Sequence, residues 1–266
     1  MPEFQGKTGK IHYRSWVPES PEVLMVFFHG LGEHVGSYHP FAAALNEAGI
    51  ALWAHDHAGH GRSEGVRVLI ERVDDLLDDA VTSLELARAE YPDVPLVVAG
   101  HSLGASVATL LAGERRVPAS ALVLAGSTLL PSGPSGLAAL LAGGIDPMDL
   151  RKDPGEMTRD PAYARQIRAD PLTWQGGLRL ETVQAWGGAA ARVSDVVRSG
   201  ALRMPILLVH GEKDDMAPAA GAVEAARLLP DARTAIFPDD LHNILNEIDR
   251  ADVYCAVIDF VRREIG

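Results

Sequence analysis

The stretch LVVAGHSLGA, residues 96–105, places a serine between two glycines at the end of an apolar run. The first four residues predict a strand covered on both faces, and the residues from Leu103 onward have the spacing of a helix. Between them, Gly100 to Gly104 match G-x-S-x-G, which presents a serine hydroxyl on a sharp turn. With 26 glycines in the chain the pattern alone is weak, so its position between strand and helix carries the argument. We predict that Ser102 is a nucleophile; the alternative is an inert serine in an ordinary glycine turn.

Outward from this stretch, the chain alternates between segments typical of strands and segments typical of helices. Val23 to Phe28 is apolar throughout, as in a strand buried on both faces, whereas Ile11 to Trp16 alternates like a strand at an exposed edge. The predicted strands are residues 11–16, 23–28, 50–54, 96–99, 121–125, 206–209 and 234–237, and the predicted helices are residues 38–48, 73–91, 103–112, 219–229 and 251–264. This order predicts an α/β fold with a mostly parallel central sheet and helices on both faces.

One interruption of this alternation is too long to be an ordinary connecting loop. Residues 127–203 combine a small, apolar stretch with short helical segments separated by Asp-Pro pairs. We therefore expect a core formed by residues 1–126 and 204–266, and an inserted cap, or lid, formed by residues 127–203. Within the insert, Leu137 to Leu141 is a candidate to contact an acyl chain or a lipid surface, with packing on the core as the alternative. The pairs Gly143-Gly144 and Gly187-Gly188 are candidate hinges.

A serine hydroxyl needs a general base, and the base needs a carboxylate that orients it. On a sheet of this kind the acid and then the histidine follow the serine along the chain, and only His210 and His242 do so. Because His210 ends a strand before an acidic cluster, we predict His242, on a loop before the last helix, as the base. The acid is Asp214 or Asp215, between which the spacing does not decide.

The negative charge that develops on an attacked carbonyl oxygen requires two N–H donors. The residue after the nucleophile, Leu103, supplies one of them. The glycine-rich loop His29 to Gly32 follows an early buried strand and is the expected source of the other, for which we select Leu31. The same loop is also compatible with a simple tight turn.

The composition of the chain argues against several classes of function. Its 24 basic and 36 acidic side chains give a net charge of −12, which disfavours nucleic acid as a partner. No apolar run approaches the roughly 18 residues of a transmembrane helix, and the first residues lack the apolar region of a secretory signal. We therefore expect a cytoplasmic protein. The single cysteine, Cys255, excludes an internal disulfide, and its apolar periodic segment predicts that it is buried.

Several motifs together resemble the monoacylglycerol lipase and lysophospholipase branch of the α/β-hydrolase superfamily. They are, in chain order, HGLGEHVGSY, AHDHAGHGRSEG, GHSLGA, LVHGEKDD and LHNILNE, with a further family-like stretch, ADPL, at residues 169–172 of the insert. By position, the resemblance implies Ser102 as nucleophile, Asp214 as acid, His242 as base, and Leu31 and Leu103 as oxyanion donors. The residue after the nucleophile is often Met in that family, a change that retains the N–H donor.

The resemblance implies the α/β-hydrolase fold and a serine hydrolase that cleaves carboxylic esters through an acyl-enzyme. The implied substrate is monoacylglycerol, split into fatty acid and glycerol, and neither a cofactor nor a metal is needed. The expected partner is thus a small acyl ester, with at most weak contact between the lid and a lipid surface; the oligomeric state stays open. The alternatives are a general carboxylesterase or peptidase of the same fold, and a non-catalytic ligand-binding protein that would have lost a catalytic residue.

Three histidines in six residues raise the alternative of a metal site. His55, His57 and His60 lie in the stretch HDHAGH together with a carboxylate, and imidazole and carboxylate are zinc ligands. Their spacing differs from that of helical and loop zinc motifs, so we expect a structural loop near the floor of the site.

Four charged or polar side chains close to the predicted site have less certain roles. Glu33 and His34 follow the glycine-rich loop His29 to Gly32, which we name the oxyanion loop. They are candidates to contact the alcohol part of a substrate, with an exposed loop as the alternative. Asp239 and Asp240, only two or three residues before His242, are expected on a solvated surface.

Overall fold

The computed structural model describes residues 2–127, 129–130 and 143–265. In this part of the chain, eight strands form one sheet in the order β1-β2-β4-β3-β5-β6-β7-β8. The strands are β1 (Glu3–Gln5), β2 (Lys10–Trp16), β3 (Val23–Phe28), β4 (Ile50–His55), β5 (Leu96–His101), β6 (Ala121–Ala125), β7 (Ile206–Gly211) and β8 (Ala232–Phe237).

The pairing of the strands follows their hydrophobic patterns. Strands β3 to β7, which are buried at every residue, pair in parallel with one another, as continuous apolar runs predict. Strand β2 pairs antiparallel with β1 through Lys10 to His12 and with β4 through Tyr13 to Trp16. The prediction of an exposed edge is therefore wrong for Ile11 and His12, whereas Tyr13 to Trp16 pair with β4 alone. Strand β1 has three residues, too few to show a pattern in the sequence.

Helices cover both faces of the sheet, which confirms the predicted fold class. Those formed by described residues are α1 (His39–Glu47), α2 (Val73–Glu90), α3 (Leu103–Gly113), α4 (Pro161–Ala169), α5 (Leu180–Ser199), α6 (Ala219–Leu228) and α7 (Arg250–Ile265), with 3-10 turns at Val35–Tyr38, Pro147–Asp149, Pro154–Glu156 and Ile244–Asn246. Helices α1 and α7 bury apolar side chains against one face. Helices α2, α3, α5 and α6 contribute to the core on the other face. In the described part of the chain no helix is both long and apolar enough to cross a membrane.

Residues 127–203, for which we keep the name insert, lie in the connection between β6 and β7, two strands that are direct neighbours in the sheet. That they form a separate cap stays a prediction. The last helix of the insert, α5, packs Ala189, Val193 and Val196 into the same buried cluster as α3. The pair Gly187-Gly188 lies inside this helix, which continues through it without interruption. Leu137 to Leu141, the candidate lipid-facing segment, lies outside the described residues.

Cys255 is exposed, so the prediction that it is buried is wrong. The buried face of α7 consists of Val253, Tyr254, Val257, Phe260 and Val261. Cys255 is two residues from Val253 and from Val257, and a step of two residues turns a helix by roughly 200°. The apolar character of the segment was therefore misleading, because only its 3.6-residue period identifies the buried face.

Candidate active site

The serine turn is fixed by the lack of space around its glycines. Ser102 stands between β5 and α3 with φ 52° and ψ −116°, a conformation that non-glycine residues rarely adopt. A Cβ atom on Gly100 would lie 2.2 Å from the carbonyl oxygen of Gly104, and one on Gly104 would lie 2.0 Å from the carbonyl oxygen of Phe28. The lack of a side chain at both positions therefore allows α3 to approach β3 and β5 and to hold Ser102 in this conformation.

The structure brings Ser102, His242 and Asp214 together in a line of hydrogen bonds. His242 Nε2 lies 3.0 Å from Ser102 Oγ, and His242 Nδ1 lies 2.8 Å from Asp214 Oδ2. His242 and Asp214 are buried, and Ser102 is partly exposed. Asp215, which the spacing left as an alternative acid, is exposed and forms an ion pair with Lys152 instead.

Asp214 is placed to remain a carboxylate. Its Oδ1 atom accepts the backbone N–H groups of Met216 and Ala217, each at 2.9 Å. Burial by itself disfavours the charged form, but the His242 imidazole, His210 and these N–H donors outweigh it and lower the pKa of Asp214 well below its usual range. The group beside the imidazole is thus an anion that can orient His242 and offset a positive charge on it.

Leu31 and Leu103 offer backbone N–H groups beside the serine turn. Leu103 is the first residue of α3, and Leu31 lies in a turn in which the Glu33 N–H bonds to the carbonyl oxygen of Gly30 at 3.2 Å. Neither leucine N–H donates to an acceptor within the described residues. The N–H of Ser102 itself is engaged, since it bonds to the carbonyl oxygen of Ala125 at 3.0 Å. As far as the described residues go, both N–H groups are therefore open to a ligand.

Glu33 is turned into the protein. Its Oε2 atom accepts the N–H of Gly30 at 2.8 Å and the hydroxyl of Tyr38, and it lies 3.2 Å from His101 Nδ1. Burial opposes ionisation, but the charge of His101 and these hydrogen bonds lower the pKa of Glu33 to about 2. The exposed-loop alternative is therefore wrong for Glu33, and a substrate contact stays a prediction.

His34 is buried as well and links the oxyanion loop to the insert. Its Nε2 atom lies 2.8 Å from Asp170 Oδ2, and its Nδ1 atom accepts the N–H of Gly36 at 3.1 Å. The N–H of Trp174, also in the insert, bonds to the carbonyl oxygen of Gly32 at 2.8 Å. The exposed-loop alternative is wrong here too, and a contact of His34 with substrate remains a prediction.

His101 was missed as a candidate although it lies inside the G-x-S-x-G motif. Its ring lies between Glu33 and the loop that carries His242. Nδ1 faces Glu33, and Nε2 lies 2.9 Å from the carbonyl oxygen of His242. Burial by itself lowers the pKa of His101, but the Glu33 carboxylate more than compensates and raises it. His101 stands at the first variable position of G-x-S-x-G, and the prediction from the motif considered only its serine.

The histidines of the HDHAGH stretch are buried under the oxyanion loop. His57 Nε2 lies 3.1 Å from the carbonyl oxygen of His29, and His60 Nδ1 lies 2.9 Å from that of Ala58. Burial lowers the pKa of His55 to about 3 and that of His60 to about 4, so these rings are neutral. Within the described residues, the one metal-type set with three ligand atoms within 4.8 Å of one another is instead Asp240, Glu247 and Asp249.

Asp239 and Asp240 differ in their surroundings. Asp239 is solvated, as predicted, and pairs with Lys213 at 2.7 Å. Asp240 is fully buried, so the prediction of a solvated surface is wrong for it, and its carboxylate contacts the guanidinium of Arg159. Arg159 belongs to the insert, 81 residues away in sequence, which is why the pairing left no signal in the local pattern.

Comparison with known proteins gives one family and a consistent set of relatives. The family described as serine aminopeptidase, S33, matches residues 19–249. A monoacylglycerol lipase of Mycolicibacterium smegmatis is 32% identical over 262 residues, which cover 92% of this chain and 90% of the relative. A monoglyceride lipase of Mus musculus is 33% identical over 217 residues, which cover 79% and 71% of the two chains.

A solved structure supports the architecture. A soluble variant of monoglyceride lipase from Saccharomyces cerevisiae, in complex with a substrate analog, matches with a TM-score of 0.87 and 18% identity. The match covers 100% of this chain and 95% of that one. At this identity the likeness shows a shared fold.

Proposed function

Because the chain belongs to the serine aminopeptidase S33 family of α/β-hydrolases, in the branch of the monoacylglycerol lipases, we propose that it cleaves monoacylglycerol through an acyl-enzyme on Ser102. The family and its relatives make the chain a serine ester hydrolase. The observation that carries the proposal is the line of hydrogen bonds from Asp214 through His242 to Ser102.

In the first half of the reaction, Ser102 Oγ attacks the ester carbonyl carbon while His242 Nε2 takes the serine proton. The distance of 3.0 Å between these two atoms is within the reach of such a transfer. Asp214 remains ionised and stabilises the imidazolium. The carbonyl oxygen becomes an oxyanion, for which the free N–H groups of Leu31 and Leu103 are the donors.

In the second half, the tetrahedral intermediate collapses and the ester C–O bond breaks. The glycerol oxygen leaves with the proton from His242, and the acyl group stays on Ser102. Water then gives a proton to His242 and attacks the acyl carbon, and the fatty acid leaves as Ser102 recovers its proton. No metal or cofactor takes part in any of these steps.

The proposed substrate is a single-chain acyl ester of glycerol. The two relatives are a monoacylglycerol lipase and a monoglyceride lipase, each matched over more than two thirds of its length. We infer that residues 127–203 form the cap that selects the acyl chain, as their place between β6 and β7 suggests. The net charge of −12 disfavours strong adsorption to anionic membranes, so dispersed substrate is the expected form.

A peptidase of the same fold is the second candidate, because the matched family is described as a serine aminopeptidase. An aminopeptidase must bind a free ammonium group, which calls for an acidic side chain available at the site. Glu33, the acid next to the oxyanion loop, already receives the Gly30 N–H and the Tyr38 hydroxyl and pairs with His101. These bonds favour the esterase.

The test is fatty-acid release from mono-, di- and triacylglycerols of matched chain length. A short-chain ester and an aminoacyl anilide are assayed beside them. Each substrate is tested with the wild-type protein, with Ser102→Ala and with a control variant at an exposed serine, Ser120→Ala. We expect selective cleavage of monoacylglycerol, a loss of at least about 10⁴-fold in kcat for Ser102→Ala, and no change for Ser120→Ala.

Each contrary outcome identifies an alternative. Cleavage of the short ester alone would make the protein a general carboxylesterase, and cleavage of the anilide would make it a peptidase. No cleavage of any substrate by a folded protein would favour a non-catalytic binding protein.

A further inference from the structure

We propose that Arg159, supplied by the insert, is a positioning residue that fixes the loop carrying the general base His242. The proposal rests on the function proposed above, in which His242 activates Ser102. Arg159 contacts neither of these two residues in any hydrogen bond or ion pair found in the described chain. Its action must therefore pass through the residues that surround its guanidinium.

The guanidinium of Arg159 lies among three carboxylates, which together with it we name the Arg159 cluster. Nη2 contacts Asp240 and lies 2.7 Å from Asp249 Oδ1, and Nε lies 3.3 Å from Glu247 Oε2. Asp240 and Glu247 are fully buried. One oxygen of each of these three acids lies within 4.8 Å of the others, and the guanidinium is the positive charge that all three contact.

Removing that cation leaves an excess of buried negative charge. Burial, together with the Asp249 and Glu247 carboxylates, already raises the pKa of Asp240 to about 7 even with Arg159 present. Without the guanidinium the three carboxylates repel one another at short range, and the loop that carries them must move or take up protons.

The Arg159 cluster and the nearby Met157 are together connected to both neighbours of His242. On one side, Glu247 Oε1 accepts the N–H of Leu241 at 3.0 Å, and Glu247 Oε2 accepts the backbone N–H of Arg159 at 3.0 Å. On the other side, the N–H of Asn243 bonds to the carbonyl oxygen of Met157, in the insert, at 2.8 Å. The insert thus fixes the backbone directly before and directly after the base.

Further bonds tie the same two segments together. Thr158 Oγ1 donates to the carbonyl oxygen of Asn246 at 3.0 Å, and Arg250 pairs with Asp160 at 2.9 Å. The segment 157–160 of the insert therefore contacts the histidine loop, residues 240–249, at several points along its length and reaches the first residue of α7. This part of the insert therefore supports the loop that carries His242.

The expected effect is on the chemical step. Proton transfer requires His242 Nε2 to stay close to Ser102 Oγ, and a misplacement of about 1 Å can cost about 100-fold in rate. We expect Arg159→Ala to lower kcat by about 10- to 100-fold while KM changes less than about 3-fold. Arg159→Lys retains a charge but loses the planar fork, so an intermediate kcat is expected.

The experiment compares these variants on a soluble activated ester with Arg168→Ala as the matched control. Arg168 also lies in the insert, but it pairs with Asp153 at the surface, and its removal should leave kcat unchanged. Each assay is repeated with low millimolar guanidinium, and with urea as a control for solvent effects. Added guanidinium should restore part of the kcat of Arg159→Ala, because Arg159 is partly exposed and a small cation can enter its place.

Several results would overturn the proposal. One is a folded Arg159→Ala protein with unchanged kcat, and another is a loss that appears in KM and does not respond to guanidinium. If Arg159→Ala fails to fold, the kcat of Arg159→Lys is compared with that of Arg168→Ala instead. A lower kcat supports the proposal, and an equal kcat overturns it.

A failure of the proposed function is recognised separately. The rate at which a fluorophosphonate labels Ser102 depends on its activation by His242, whatever the natural substrate is. Arg159→Ala should be labelled about 10-fold more slowly or worse if the positioning role is correct. Absence of labelling in the wild-type protein, or labelling that persists in Ser102→Ala, would instead refute the assignment of the nucleophile.

Discussion

The glycines on either side of Ser102 and the glycines in the last helix of the insert have opposite surroundings. A Cβ atom on Gly100 or Gly104 would meet backbone atoms at 2.2 Å and 2.0 Å. A Cβ atom on Gly187 or Gly188 would meet nothing within 4 Å. The packing around the first pair leaves no room for a side chain, so glycine is required there. Around the second pair there is room for a larger residue.

This difference shows that the two sides of the site are held by different forces. Ser102 and Leu103, the serine side, are fixed by steric exclusion where α3 meets β3 and β5. The loop of Leu31 is held in addition by polar contacts, two of which come from the insert. The histidine loop is held by polar contacts from the insert, about 80 to 90 residues away in sequence. Substitutions on the serine side, around Ser102, should therefore act through packing. Substitutions on the histidine side, which comprises His242, its loop and Asp214, should act through charge and hydrogen bonding.

The largest effect is expected for the acid of the histidine side. Asp214→Asn retains the shape of the side chain but removes the charge that keeps His242 in the correct tautomer, so kcat should fall by about 10⁴-fold. Asp215→Asn is the matched control, because Asp215 is exposed and pairs with Lys152. Steady-state ester hydrolysis by both variants measures the difference. Equal activities of the two variants would remove Asp214 from the mechanism.

The next effect is one of packing on the serine side. Gly104→Ala places a Cβ atom against the carbonyl oxygen of Phe28, which is backbone and cannot move aside as a flexible side chain would. We expect a loss of about 3 kcal/mol or more in the free energy of unfolding. Urea unfolding followed by circular dichroism measures it. A loss below about 1 kcal/mol would contradict the view that steric exclusion fixes this side.

The serine side was also the part that the sequence could predict. Continuous apolar runs such as Val23 to Phe28 report burial directly, and the structure has a strand with these same bounds. The position of Ser102 follows from local spacing, because the turn, the strand and the helix are adjacent in the chain. The order of the chain then leaves His242 as the base, and the structure brings it within 3.0 Å of Ser102.

The histidine side could be predicted only in part, because its contacts join residues that are distant in sequence. Spacing did not separate Asp214 from Asp215; burial and the bond to His242 do. Asp240 looked like a solvated acid because its partner, Arg159, lies in the insert. Ion pairs between distant segments leave no periodic pattern, so only the folded structure reveals them.

A fall in pH should lower the free energy of unfolding, because it protonates the buried imidazole of His55 when the chain unfolds. His55 is fully buried with neither ring nitrogen bonded to a described residue, and burial lowers its pKa to about 3. In the unfolded chain the pKa is about 6.5, so the unfolded state binds a proton first as the pH falls. The stability that His55 contributes is complete above pH 6.5 and is lost between about pH 6.5 and pH 3.

The expected size of this effect is about 2 kcal/mol at pH 5 relative to pH 8. His55→Leu removes the titrating group at similar volume, so the wild-type protein should lose about 2 kcal/mol more than this variant over that pH interval. Urea unfolding at both pH values gives the comparison for each protein. Parallel pH dependences of the two proteins would show that His55 does not titrate as its burial requires.

The smallest effect is expected in the insert, where the glycines have space. Gly188 lies in the interior of α5 and is exposed, and its φ is not positive, so alanine fits the helix without strain. Gly188→Ala should raise the free energy of unfolding by about 0.5 to 1 kcal/mol, because alanine loses less backbone entropy on folding. Thermal unfolding measures the gain, and kcat and KM report whether the pair is a hinge. A continuous helix predicts unchanged kinetics, whereas a fall in kcat beside the expected gain in stability would show that the flexibility of Gly187-Gly188 serves the reaction.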